Sequence, residues 1–158
     1  MPPASLQQAY NSTFIKTLRA GGGDAAYVPT TTIYSATDQI VEPQQGATAS
    51  AYLLNSTSAA ASNNEVQSVC PEQPAGSLYT HEGVLYNPIG YALLQDALAN
   101  DGPGDVSRLD LSTVCASYVT PGLTLTDLQR TEDAITFFVV STKAYPKPVH
   151  KEPKIKGK

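Results

Sequence analysis

Two side chains in this sequence could work together as an acid–base pair. Asp38 lies in Ser35-Ala36-Thr37-Asp38-Gln39-Ile40-Val41, and His81 lies in Thr80-His81-Glu82-Gly83. An imidazole can take the proton of a hydroxyl nucleophile and return it to a leaving alkoxide. It does so when a carboxylate fixes its tautomer and stabilises the imidazolium that forms. Taken singly, Asp38 reads as a turn residue bonding its own loop, and His81 as an ordinary surface or core histidine. The pair says more, because each follows a strand candidate and the acid precedes the base. The other histidine, His150, sits among the lysines of the C-terminal end. A nucleophile is the missing piece. No serine stands in a Gly-x-Ser-x-Gly elbow, no oxyanion-hole sequence is identifiable, and by chain order the elbow is expected before Met1.

The elements that must position the pair follow from periodicity and punctuation. Leu6, Tyr10, Phe14 and Leu18 recur every four residues, so the spacing predicts a helix over 5–20, ended by Gly21-Gly22-Gly23. Tyr27 to Tyr34 is β-branched and aromatic and is predicted as a strand, with Pro29 near its start. The loop after it carries Asp38, where the crevice beyond the carboxyl ends of parallel strands gathers catalytic groups. Glu65 to Cys70 is the second strand candidate. Residues 84–99 are predicted as a helix, with Pro88 tolerable only in the first turn. Thr126 to Thr136 is the last helix candidate, and the following Phe137-Phe138-Val139-Val140 has strand-like composition. A helix–strand–loop–strand–helix order is what half of a helix-covered parallel sheet presents.

Composition narrows the class. The 158 residues are 41% hydrophobic and 15% charged with a formal charge of −4, which argues against a nucleic-acid partner. Residues 1–142 carry four basic and thirteen acidic side chains, whereas the last sixteen carry six basic and one acidic. Residues 1–142 are therefore read as the domain portion, and 143–158 as a solvated Lys/Pro-rich tail without a fixed fold. No apolar run reaches the roughly 18–20 residues that cross a bilayer. There is no Trp, and Asn11-Ser12-Thr13 and Asn55-Ser56-Thr57 are acceptor sequons, a secreted character without a visible signal peptide. An N-terminal portion is therefore expected to be missing. Two thiols and one histidine fall short of a metal site, and given the secreted character Cys70 and Cys115 are read as a disulfide. Closing that loop is worth about 4 kcal/mol in the chain-entropy account.

Several stretches together resemble the family of Candida antarctica lipase B and related fungal lipases. They are Ser5-Leu6-Gln7-Gln8, Thr17 to Gly22, Val28 to Gln44, Val66 to Cys70, His81 to Leu85 with Tyr91 and Ala97-Leu98, and Cys115 with Leu123-Thr124. The resemblance covers roughly residues 5–130, and its most specific block runs from Val28-Pro29-Thr30-Thr31 to Pro43-Gln44. It implies the C-terminal part of an α/β-hydrolase, a parallel sheet with flanking helices whose N-terminal half is absent. It also implies a Ser-Asp-His triad acting on carboxylic esters of lipids. Asp38 matches the triad acid, His81 the triad base, Ile40 and Val41 pocket-lining residues, and Cys70 with Cys115 a family disulfide. Phe137 and Phe138 fall where the family's helix borders the pocket entrance. No metal or organic cofactor is implied.

The expected function is that of a lipase or carboxylic ester hydrolase, with this chain supplying acid and base to a complete protein and inactive alone. A lipase-derived, non-catalytic secreted binding module is the alternative from another class. The implied partners are a lipid or other carboxylic ester, the missing N-terminal half of the fold, and a lipid interface, with secretion as the expected location. Asn11 and Asn55 are the expected glycan acceptors.

Overall fold

A computed structural model describes residues 1–155, so Lys156 and Lys158 of the basic tail lie outside the described residues. The chain forms two compact units, Ala25–Glu132 and Met1–Asp24 with Asp133–Lys158.

The site-bearing unit, Ala25–Glu132, is built on two parallel strands, β1 (Thr30–Tyr34) and β2 (Ala61–Glu65). Thr30 pairs with Ala61 and Tyr34 with Glu65, so both chains leave the sheet at the same end. The first strand falls inside the span 27–34 read from β-branched residues. The second lies upstream of its expected position. Val66–Val69 is a short helix, α3, and Val66 and Cys70 are fully buried. The physical reason is spacing: Val66, Val69 and Cys70 stand at i, i+3 and i+4, which puts them on one helical face rather than on alternate faces of a strand. The residues that do form β2, Ala61-Ser62-Asn63-Asn64-Glu65, are not strand formers by type. Side chains replace that propensity. Asn63 donates to Leu53 O and accepts from Leu53 N, both at 2.8 Å, and Asn64 Nδ2 donates to Thr32 O at 2.9 Å.

The next helix, α4 (Pro88–Ala99), begins with Pro88 at its first position, and the Asn87 side chain accepts from Ile89 N at 2.8 Å. Proline costs nothing there, because the first-turn amides have no partner within the helix. Residues 83–86 form a separate 3₁₀ turn before it, so Leu85 is not on the helix and is 79% exposed. Ile89 and Leu93 face the core, whereas Leu94 and Leu98 point away. A methyl group at Gly90 would stand 3.2 Å from Ile33 Cδ1, so α4 packs closely on β1. Val66, Cys70, Ala75, Tyr79, Tyr86, Ile89, Leu93 and Cys115 make the core, joined by partly buried Leu128. Asp96 of α4 takes a fork from Arg108, with Nε at 2.8 Å, and also accepts from Asp105 N, which folds the 100–108 turn onto the helix. A short helix α5 (Leu111–Val114) ends at Cys115, bonded to Cys70 with Cα atoms 5.4 Å apart.

In the other unit the predicted helix over 5–20 is broken into α1 (Pro3–Gln7) and α2 (Thr13–Ala20). Ser12 is the cause: its hydroxyl donates to Gln7 O at 2.7 Å and accepts from Ile15 N at 3.0 Å, ending one helix and capping the next. Glu152 accepts from the amides of Thr13 and Phe14 at 2.7 and 2.8 Å. The last helix, α6 (Leu125–Lys143), runs on through Phe137–Val140, which is helical despite its strand-like composition. Its start is closed by a reciprocal box in which Thr124 donates to the Asp127 carboxylate and Asp127 N to the Thr124 hydroxyl. Among the described residues no helix is long and apolar enough to cross a membrane.

Candidate active site

Asp38 sits four residues past β1, in a turn closed by its own amide donating to Ser35 O at 3.1 Å. One carboxylate oxygen, Oδ1, accepts from the amides of Ile40 and Val41, both at 2.8 Å. The other, Oδ2, lies 2.9 Å from His81 Nδ1. A carboxylate only accepts, so Nδ1 carries the hydrogen, and in the neutral ring Nε2 is the nitrogen with the lone pair. The Asp38 side chain is 11% exposed and that of His81 is 42% exposed. No hydrogen bond reaches Nε2 among the described residues. The carboxylate is thus nearly buried, while the imidazole it meets is partly exposed.

Several bonds hold the two loops together, and none is obvious in the sequence. The Ser35 and Thr37 hydroxyls both donate to Tyr79 O, at 2.7 and 2.8 Å, tying the acid loop to the chain two residues before His81. Gln67 of α3 accepts from Ala36 N and donates to Ser35 Oγ and Ser77 O, so it also spans both loops. Gln39 accepts from His81 N at 3.0 Å through its side chain. Adjacent residues thus grip His81 twice: Asp38 holds the ring and Gln39 the backbone. Only the position of Gln39 next to the acid could have drawn attention to it.

Tyr79 and Tyr86, on either side of His81 in the chain, cluster with Tyr118, the rings of Tyr79 and Tyr118 being stacked at 4.9 Å. Burial pushes both the Tyr79 and Tyr86 phenols above their ordinary range, so they remain donors. The Tyr79 hydroxyl donates to Tyr118 O at 2.5 Å. The disulfide stands at the base of this segment, with both cysteines buried and Ala75 N donating to Cys115 O.

Ile40 and Val41 carry the amides that hold Asp38, and their side chains are each 39% exposed. A surface cleft of about 560 Å³, lined in part by Tyr34, Tyr52, Asn63, Glu65, Val69 and Leu111, contains neither the pair nor these two residues. Phe137 and Phe138 lie beyond Glu132, in the other unit, and are 76% and 48% exposed. Asn11 and Asn55 are exposed, and Asn55 Oδ1 accepts from Ala61 N.

No family model matches this sequence. Lipase B of Pseudozyma antarctica is 37% identical over an alignment of 127 positions that covers 75% of this chain and 34% of that protein. The crystal structure of Aspergillus fumigatus lipase B superposes with a TM-score of 0.93 at 52% identity, over 98% of this chain and 37% of that one. The chain is similar to part of lipase B. It spans about a third of the length of the lipase B proteins it matches. Its fold is that of the C-terminal part of an α/β-hydrolase, with a small parallel sheet and flanking helices. The lipase B likeness reaches through both loops that carry the pair, since it extends over nearly the whole chain.

Proposed function

We propose that this chain supplies the acid and base of a lipase-type ester hydrolase, with Asp38 orienting His81 and a serine outside the chain serving as nucleophile. The observation that carries this reading is the 2.9 Å pairing of Asp38 Oδ2 with His81 Nδ1, which leaves Nε2 as the proton acceptor. During acyl transfer Nε2 takes the serine proton, the imidazolium is stabilised by Asp38, and the same proton passes to the departing alkoxide. The similarity to lipase B supports carboxylic esters of lipids as the substrate class. Ile40 and Val41, fixed beside the acid by their amides and partly exposed, are the apolar side chains this reading assigns to the acyl or alcohol group. The buried disulfide fits an oxidising, secreted setting, in which exposed Asn11 and Asn55 would accept glycans.

The test is hydrolysis of a short-chain nitrophenyl ester by the protein carrying both this segment and the serine-bearing part. His81→Ala should lower kcat by about 10⁴-fold or more, the usual scale for losing a triad base. Undiminished turnover in that variant would overturn the proposal. The 158-residue chain alone should show no turnover, because no serine in it stands in a Gly-x-Ser-x-Gly elbow.

A further inference from the structure

The segment that carries His81 is pinned at both ends by one carboxylate oxygen. Glu132 Oε1, on α6, accepts from the Thr80 hydroxyl at 2.7 Å and from the Tyr86 hydroxyl at 2.9 Å. Thr80 immediately precedes the histidine, and Tyr86 ends the 3₁₀ turn that follows it. Thr80 Oγ1 in turn accepts from Gly83 N at 2.9 Å, which closes the bend between them. A carboxylate oxygen has two lone pairs, and these two hydroxyls fill both. Tyr86 is buried, so its hydroxyl has little recourse to water if Glu132 is lost.

His81 itself is held by Asp38 and Gln39. His81 is therefore clamped between the acid loop and α6. The acid loop can orient the ring only if the backbone beneath it stays in place, and the Glu132 brace adds to the Gln39 bond in opposing rotation of that backbone.

We propose that Glu132 is a positioning residue for His81, bracing the Thr80–Tyr86 segment on α6 so that the imidazole meets Asp38 in a single tautomer. The proposal rests on the reading of Asp38 and His81 as an acid–base pair, and it assigns Glu132 no contact with substrate.

The experiment reads imidazole ¹⁵N shifts of His81 in the 158-residue chain at neutral pH, with amide exchange at Leu93 of α4 as a control for the core. In the parent chain His81 should be mainly the Nδ1–H tautomer. Glu132→Ala should move the tautomer ratio about tenfold toward Nε2–H, the scale of losing one or two hydrogen bonds to a charged acceptor. Leu93 exchange should stay within about twofold of the parent. Glu132→Gln keeps Oε1 as an acceptor with two lone pairs and should restore the parent ratio. Tyr86→Phe, which cuts one arm and keeps the ring, should give an intermediate shift, and it stands in if the alanine variant does not fold.

An unchanged tautomer ratio in Glu132→Ala would overturn the proposal. So would a change in step with Leu93, or failure of the glutamine variant to rescue. Failure of the functional reading is separable. If the ratio responds as expected but ester hydrolysis by the complete protein ignores His81→Ala, the brace stands and the catalytic role falls.

Discussion

Asp38 divides its work between its two oxygens. Oδ1 closes a local turn by accepting from Ile40 and Val41, and Oδ2 meets the imidazole. The plain turn reading and the catalytic reading therefore describe two halves of one side chain. Asp38→Asn separates them. The amide oxygen can still take the two backbone bonds, but the Nδ2 group then facing His81 donates and forces the other tautomer. We expect kcat for ester hydrolysis by the complete protein to fall about 10⁴-fold with the fold retained, the scale seen when a triad acid becomes an amide. A loss under about tenfold would show that Asp38 does not set the tautomer. The meeting of Asp38 and His81 was legible in the sequence because chain order and strand exits constrain it. Gln39, Gln67 and Glu132 were not, because a glutamine or glutamate acquires meaning only from the backbone groups and hydroxyls it reaches, and those partners stand 10 to 52 residues away.

Elements were legible where apolar periodicity set them and obscure where polar side chains did. β1 and α4 show in their residue types. The break between α1 and α2 turns on the Ser12 hydroxyl, and β2 is secured by asparagines that carry no strand signal. One glycine at this scale is tightly constrained. A Cβ on Gly76 would stand 1.9 Å from the Cys70 carbonyl oxygen, a backbone atom beside the disulfide that cannot retreat far. Gly76→Ala should destabilise the chain by about 3 kcal/mol, at the upper end for overpacking, read as a lower urea midpoint. An unchanged midpoint would contradict this packing. The cap on α2 gives a pH dependence. The Thr13 and Phe14 amides hold the Glu152 carboxyl below the usual carboxylate range, the Thr13 bond contributing most. A depressed pKa stabilises the folded state above the ordinary carboxylate range, and this is lost as pH falls through the lowered value. Amide exchange at Thr13 and Phe14, corrected for intrinsic rate, should therefore rise on acidification. Glu152→Gln should raise it already at neutral pH and flatten the profile.

For the molecule as a whole, the sheet is the informative feature. Among the described residues it has two strands, and β2 occupies one edge of β1. Parallel pairing uses the N–H and C=O of alternate residues, and Thr30, Thr32 and Tyr34 are in register to bond β2, with Thr30 N donating to Ala60 O. Thr31 and Ile33 consequently direct their amides toward the other edge. A row of unpaired strand amides is a template for another strand. Helix α4 agrees, since it is apolar on both the Ile89–Leu93 face and the Leu94–Leu98 face, as a helix covered on two sides would be. The matched lipase B structure has nearly two thirds of its length outside the shared region, ample chain to cover both. Chain order in this fold places the serine strand ahead of the acid and base, and on the proposed reading the open edge of β1 is a position for a strand of the serine-bearing part. In the 158-residue chain, the amides of Thr31 and Ile33 should exchange at least about tenfold faster than those of Thr30 and Thr32. Adding the serine-bearing part should slow Thr31 and Ile33 to the rate of their neighbours and leave β2 unchanged. Equal protection of all four amides in the chain alone would mean that the edge is already satisfied, and that the acid–base pair belongs to a self-sufficient binding module.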